Sequence, residues 1–272
     1  MDVALLVDTM LCIGCESCVE ACKEANNLPA QIDDQLTAST WAILTDFGDD
    51  VYGRRMCMHC KQPTCVSVCP VGALEKTAEG PVIYNEDKCI GCRYCILACP
   101  FEVPKYEWSE TRPRVQKCTM CYDRLQDGDI PACAEACPTE ATIFGPRDEL
   151  IQIAQQRMAG TPGDYYPKIY GESVVGGTNV LHISSLSPAD IGFTIDLSDE
   201  PKPILTWKVL RILPDLVSVW GVFLVGLWWI INRRMENMKP EPNEIEEFID
   251  GDEDQSNDVW AQPNDNMNQE SE

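Results

Sequence analysis

Cys89-Ile-Gly-Cys92-Arg-Tyr-Cys95-Ile-Leu-Ala-Cys99-Pro100 places four cysteines within eleven residues and closes on a proline. Outward from it lie three related groups. Upstream is Cys57-x2-Cys60-x4-Cys65-x3-Cys69-Pro70. Downstream is Cys118-x2-Cys121-x11-Cys133-x3-Cys137-Pro138. Nearest the N-terminus is Cys12-x2-Cys15-x2-Cys18-x3-Cys22, which lacks the proline. Each group offers three cysteines and a fourth after three intervening residues, so the chain carries an internal repeat of ligands. The four groups account for all sixteen cysteines of the 272 residues.

Disulfides and metal compete as explanations for so many cysteines. Neighbours with only two to four intervening residues rarely satisfy the Cα separation and dihedral of a disulfide. They suit thiolates that converge on one centre. Structural zinc sites pair two short knuckles across a longer stretch. The Cys89–Pro100 run instead has the spacing of bacterial two-cluster ferredoxins, in which the fourth cysteine reaches the neighbouring cluster. Sixteen ligands at four per cluster predict four [4Fe–4S] clusters, with no cysteine missing as a [3Fe–4S] site would require. His59 and His182 are the only histidines. His59 lies within Cys57-Met-His-Cys60, but a Rieske iron needs two histidines, so it reads as a packing residue.

Nineteen residues separate Cys69 from Cys89, the short link between the two motifs of a simple ferredoxin. The second and third groups therefore form one two-cluster unit, and the first and fourth form another around it. Crossing within each unit predicts four ligand sets. They are Cys12, Cys15, Cys18 and Cys137; Cys118, Cys121, Cys133 and Cys22; Cys89, Cys92, Cys95 and Cys69; and Cys57, Cys60, Cys65 and Cys99.

Between and after the groups, Ala73–Lys76, residues 81–85, Thr142–Gly145 and Asn179–Ile183 read as strands. Residues 148–159 have helical periodicity with Asp148 as a possible cap. Residues 160–200 otherwise read as ordered loop. Leu216–Ile231 is strongly apolar and uncharged. Extended back to Ile212 it is about 30 Å long, the thickness of a bilayer core. Trp220, Trp228 and Trp229 suit its interfaces. Lys202, Lys208 and Arg211 precede it, and Arg233, Arg234 and Lys239 follow. The Arg233-Arg234 pair at the exit favours a cytoplasmic C-terminus.

The formal net charge is -23, of which twelve Asp and Glu with no Lys or Arg fall in residues 240–272. That composition predicts a disordered acidic tail. No basic patch points to nucleic acid. Met1–Leu11 is apolar but short, lacks a basic start and runs into Cys12, so no signal peptide is read there. The cluster-bearing part is then cytoplasmic or exported on a partner's signal. No Gly-rich nucleotide loop, flavin fingerprint or nucleophile elbow suggests an enzyme in its own right.

Over about residues 1–235 the chain resembles the four-cluster ferredoxin subunit of complex iron–sulfur molybdoenzymes and membrane-bound hydrogenases. The residues that carry the resemblance are Cys57-Met-His-Cys60, Cys65-Val-Ser-Val-Cys69-Pro-Val, Cys99-Pro-Phe-Glu-Val-Pro-Lys-Tyr, Val175-Gly-Gly-Thr-Asn-Val and the C-terminal helix. The β subunit of membrane formate dehydrogenase and the iron–sulfur subunit of respiratory nickel–iron hydrogenase share them. The resemblance implies a non-catalytic electron-transfer subunit. Its partners would be a large catalytic subunit, of molybdenum or tungsten formate dehydrogenase or nickel–iron hydrogenase type, and an integral membrane haem or quinone subunit. The alternatives are the iron–sulfur subunit of another molybdoenzyme oxidoreductase, or a membrane-tethered ferredoxin outside any respiratory complex. The hydrogenase type usually carries its own twin-arginine leader, and none is visible here. The expected fold is α+β, two bacterial-ferredoxin-like dicluster units in pseudo-twofold relation plus one transmembrane helix. Residues 1–200 would form the cluster domain, with an inner unit at 57–117, an outer unit at 1–56 with 118–145, and connecting loops at 146–200. Residues 201–235 would be the single-pass anchor in the lipid bilayer and 236–272 the tail, with the clusters on the periplasmic side.

Overall fold

The structure is a computed structural model that describes residues 2–237 except Arg112. Nine strands and eight α-helices are found among the described residues. The strands are β1 (Val3–Asp8), β2 (Ile43–Asp46), β3 (Tyr52–Arg55), β4 (Leu74–Lys76), β5 (Val82–Tyr84), β6 (Lys105–Tyr106), β7 (Val115–Gln116), β8 (Thr142–Pro146) and β9 (Val180–Ile183). The helices are α1 (Ser17–Ala25), α2 (Thr64–Ser67), α3 (Tyr94–Ala98), α4 (Tyr122–Gln126), α5 (Ala132–Glu135), α6 (Arg147–Gly160), α7 (Lys202–Leu210) and α8 (Leu213–Glu236).

The described residues fall into two units, one running to Val209 and one beginning at Leu210. In the first, β1 is the central strand of a three-stranded sheet, antiparallel to β8 and parallel to β9. Its sequence Val-Ala-Leu-Leu-Val-Asp shows no polar alternation because both faces are covered. Leu5 and Val7 face a core shared with Cys57, Cys118 and Cys133, whereas Ala4 and Leu6 face α6 through Leu150 and Ala154. The apolar N-terminus is thus the middle of the fold. The other strands pair as three separate hairpins, β2 with β3, β4 with β5, and β6 with β7.

These pairings position the cysteines. β1 ends just before Cys12 and β8 begins just after Cys137, and the antiparallel register sets Val7 opposite Thr142. Groups far apart in sequence therefore meet at one end of the sheet. In the same way Leu74 pairs with Tyr84, drawing Cys69 towards Cys89. α1 packs on α5, and α2 packs on α3, so each helix pair carries cysteines of two groups.

The four expected strands and the helix at 148–159 form close to the expected bounds. Asp148 is not the cap. Pro146 holds that position, and Asp148 and Glu149 lie in the first turn, where carboxylates favour the positive end of the helix dipole. Residues 160–200 include β9 and a short 3-10 turn at Val174–Gly176. The buried Arg147 secures this stretch: Nε donates to Thr178 O at 2.8 Å and Nη2 to Glu172 O at 2.8 Å. In the second unit, α8 is long and apolar enough to cross a membrane, and its side chains are exposed. The acidic-tail expectation lies outside the described residues.

Candidate iron–sulfur sites

The same backbone device recurs in every cysteine group. Two residues after its first cysteine the chain turns left-handed, at Gly14 (φ 71°), His59 (φ 45°), Gly91 (φ 69°) and Met120 (φ 59°). Such a turn curls the backbone around a centre and brings successive sulfurs to one side. At Gly14 an added Cβ would lie 2.6 Å from the Tyr52 ring, and at Gly91 2.9 Å from Tyr106 Oη. His59 and Met120 have side chains in the equivalent places, and both are buried.

A second left-handed residue follows three positions after each Cys-Pro cysteine, at Gly72, Glu102 and Glu140. Their N–H groups donate to the carbonyls of Cys69, Cys99 and Cys137 at 3.4, 3.2 and 3.4 Å. The group without proline has no such turn. Its Cys22 lies inside α1, which continues to Ala25. A proline after Cys22 would fall in the helix interior and break it.

Cys12, Cys15, Cys18 and Cys137 line one cavity together with Leu44 and Arg54. Cys69, Cys89, Cys92 and Cys95 line another with Leu74, Tyr84 and Val115. Cys57 neighbours Cys60, Cys65 and Cys99. Cys22 neighbours Cys121 and Cys133, and Cys118 neighbours Cys22 and Cys133. These four gatherings are linked in order by charge interactions, Cys18 with Cys133, Cys118 with Cys57, and Cys65 with Cys95. Cys15 and Cys92, in the two gatherings at the ends, are exposed.

The sulfurs are prepared for negative charge. Backbone N–H groups of Ala73, Gly91, Met120 and Thr142 donate to the sulfurs of Cys69, Cys89, Cys118 and Cys137 at 3.2–3.4 Å. Burial opposes charge on Cys69, but the N–H groups of residues 71–74 outweigh it and hold that thiol below its usual pKa. The deeper sulfurs behave oppositely. Burial, then repulsion from neighbouring cysteines, pushes Cys22 to about 12 and Cys95 to about 11, and raises Cys60 and Cys118 strongly. Such a set ionises together only around a group that supplies positive charge. Among the described residues, no three His, Cys, Asp or Glu side chains converge tightly enough for a single ion. Spread thiols around a shared cavity fit a cubane.

The sequence reading did not single out the interior cations. Buried Arg54 and Lys117 and half-buried Lys76 lie among the cysteine groups, and nothing in their local pattern separates them from surface residues. Lys117 donates to Val82 O and Cys118 O, and Lys76 to His59 O, Gly80 O and Asn179 Oδ1. His59 is fully buried, and its Nδ1 accepts the Val82 N–H at 2.9 Å. Burial, then Lys117 and Lys76, keeps it neutral, as a packing residue requires. His182 packs on Phe193 with ring centroids 4.7 Å apart, and burial lowers its pKa to about 3.

Four gatherings of thiols, each group curled by a left-handed turn, define a ferredoxin-type [4Fe–4S] protein. Residues 49–147 match the 4Fe-4S dicluster domain family. HybA, the hydrogenase-2 operon protein of Escherichia coli O157:H7, is 36% identical over 68% of this chain and 70% of its own length. The nitrate-inducible formate dehydrogenase iron–sulfur subunit of Escherichia coli K12 is 35% identical over 67% of this chain and 68% of its own. A Nitratidesulfovibrio vulgaris protein is 37% identical over 85% of this chain and 67% of its own. The chain belongs to the family of ferredoxin-type iron–sulfur subunits that includes HybA and the formate dehydrogenase iron–sulfur subunits.

Proposed function

We propose that the chain is an electron-transfer subunit. It relays electrons through four [4Fe–4S] clusters between a catalytic subunit of formate dehydrogenase or hydrogenase type and a membrane subunit that carries haem or a quinone site. The observation that carries this reading is the single row of thiol gatherings with an exposed cysteine in each terminal one. A row open at both ends suits conduction between two partners.

The ligand sets are Cys12, Cys15, Cys18 and Cys137; Cys22, Cys118, Cys121 and Cys133; Cys57, Cys60, Cys65 and Cys99; and Cys69, Cys89, Cys92 and Cys95. Each cluster, when bound, supplies a one-electron redox centre. The chain holds the thiolates in place, donates N–H groups to their sulfurs, and covers the inner two sites with buried Met58, Met120 and Phe101. The outer unit comprises residues 1–56 with 118–145 and the inner unit 57–117. The α1–α5 and α2–α3 pairs support a pseudo-twofold relation between them. The anchor at 201–235 passes once through the bilayer, with the clusters on the periplasmic side.

Protein purified without oxygen should contain about sixteen iron and sixteen sulfide per chain, four of each per cubane. Zinc as the principal metal, or half that iron, would refute the four-cluster reading.

A further inference from the structure

Five cations lie inside the cluster-bearing unit: Lys23, Arg54, Lys117 and Arg147 are buried and Lys76 is half-buried. Four of them donate to oxygens of the protein. Lys23 has Pro29 O, Ser39 O and Thr40 Oγ1 at 2.9–3.0 Å. Lys76, Lys117 and Arg147 have the carbonyl partners described above. Arg54 differs. It is 2% exposed, yet its Nε and Nη1 have no hydrogen-bond partner. None of the ion pairs found among the described residues includes it.

A buried, unpaired guanidinium is strongly destabilising. Its compensation must come from the groups around it, which are sulfurs of two different gatherings together with the neutral His182 ring, whose nitrogens also lack partners. Arg54 projects from β3 into the wall of the Cys12, Cys15, Cys18 and Cys137 cavity. It is attracted to Cys133, Cys18 and Cys22, and it also acts on Cys12 and Cys121. Arginine suits such a position because its planar fork presents several donors in more than one direction and its charge persists when buried.

We propose that Arg54 is a shared cation between the Cys12/Cys15/Cys18/Cys137 and Cys22/Cys118/Cys121/Cys133 sites, and that its charge raises the reduction potential of both. This rests on the ligand sets proposed above. A [4Fe–4S] centre held by four thiolates is anionic, and one-electron reduction adds one further negative charge. A fixed cation in a water-poor interior therefore favours the reduced form. One cation serving two adjacent sites keeps their potentials together, so neither becomes a trap for the electron.

The test is a redox titration of the holoprotein followed by electron paramagnetic resonance, with signals assigned from Cys15→Ser and Cys118→Ser. Arg54→Gln keeps hydrogen-bond donors and removes the charge. The expected result is full iron and sulfide content with lower midpoints for two clusters, those of the sites that flank Arg54. The other two midpoints should stay unchanged. Unchanged midpoints at both flanking sites, or an equal shift at all four, would overturn the proposal. If the glutamine variant does not retain its clusters, Arg54→Lys decides. Its compact ammonium sits against one sulfur set, so the two flanking midpoints should separate, and two unchanged midpoints would overturn the proposal. Failure of the ligand sets is seen separately, as Cys22→Ser and Cys118→Ser losing different signals.

Discussion

Cys22 sits on α1 within the first cysteine group, yet the sulfurs that act on it most strongly are Cys133 and Cys121 of the fourth, ahead of Cys18 of its own. Its substitution should therefore act at a distance in sequence. Cys22→Ser and Cys118→Ser should lose the same paramagnetic signal, and Cys12→Ser a different one. Identical losses in Cys22→Ser and Cys12→Ser would mean that each group holds its own cluster. The glycines of the repeated turn are a second test at this scale. Gly14→Ala pays for a left-handed φ, about 1–3 kcal/mol, and must displace Tyr52, which adds a similar amount. Gly128 also has positive φ, at 89°, but open space where the Cβ would go. Gly128→Ala should therefore show only the backbone part. Denaturant midpoints and iron content of the two variants check this, and equal losses would leave the Tyr52 contact without energetic weight. At this scale the sixteen sulfurs were legible because cysteine spacing is itself the chemistry. Arg54 was not, because an arginine in a four-residue hairpin strand looks the same whether buried or exposed.

Among the elements, β1 and α8 are both apolar runs, and length separates them. Six residues suffice to cross a small sheet, and 24 give about 36 Å, enough to cross a bilayer. Every cysteine lies before α8, so ligand count and local folding of the cluster unit do not depend on it. A chain that ends before Ile212 should remain soluble and keep its iron. In complex with its partners it should still reduce an artificial dye but lose quinone reduction, because electron transfer falls steeply with distance and docking needs the anchor. Full-rate quinone reduction by the truncated complex would reduce the helix to a tether. α6 was legible in its periodicity. Its cap was not, because a proline with extended backbone leaves the entry geometry to β8.

For the whole molecule, the open question with a direct measurement is the side of the membrane. Basic residues count most next to a span, and Arg233 and Arg234 stand in the last turn of α8. Protease added to intact spheroplasts should cut the cluster-bearing unit and spare residues after the helix. Cleavage confined to the C-terminal segment would place the clusters in the cytoplasm.

The sequence by itself pointed to the sixteen candidate ligands, to the family, and to one helix long and apolar enough to cross a membrane. Each rests on local information: thiol spacing within a few residues, and apolar length along one helix. It also suggested which groups cross, from the short link between Cys69 and Cys89. Only the tertiary structure decided how the ends of the cysteine stretch meet. That depends on β1 and β8 pairing over a long span of chain, and on Val175-Gly-Gly-Thr-Asn-Val serving as a buried joint. There Asn179 N donates to Met58 O at 3.1 Å, and the Asn179 amide donates to Val3 O at 2.7 Å. The placement of Arg54 between two sulfur sets was likewise decided by the fold. A charge is buried or exposed according to what the rest of the chain packs around it, and no local pattern carries that information.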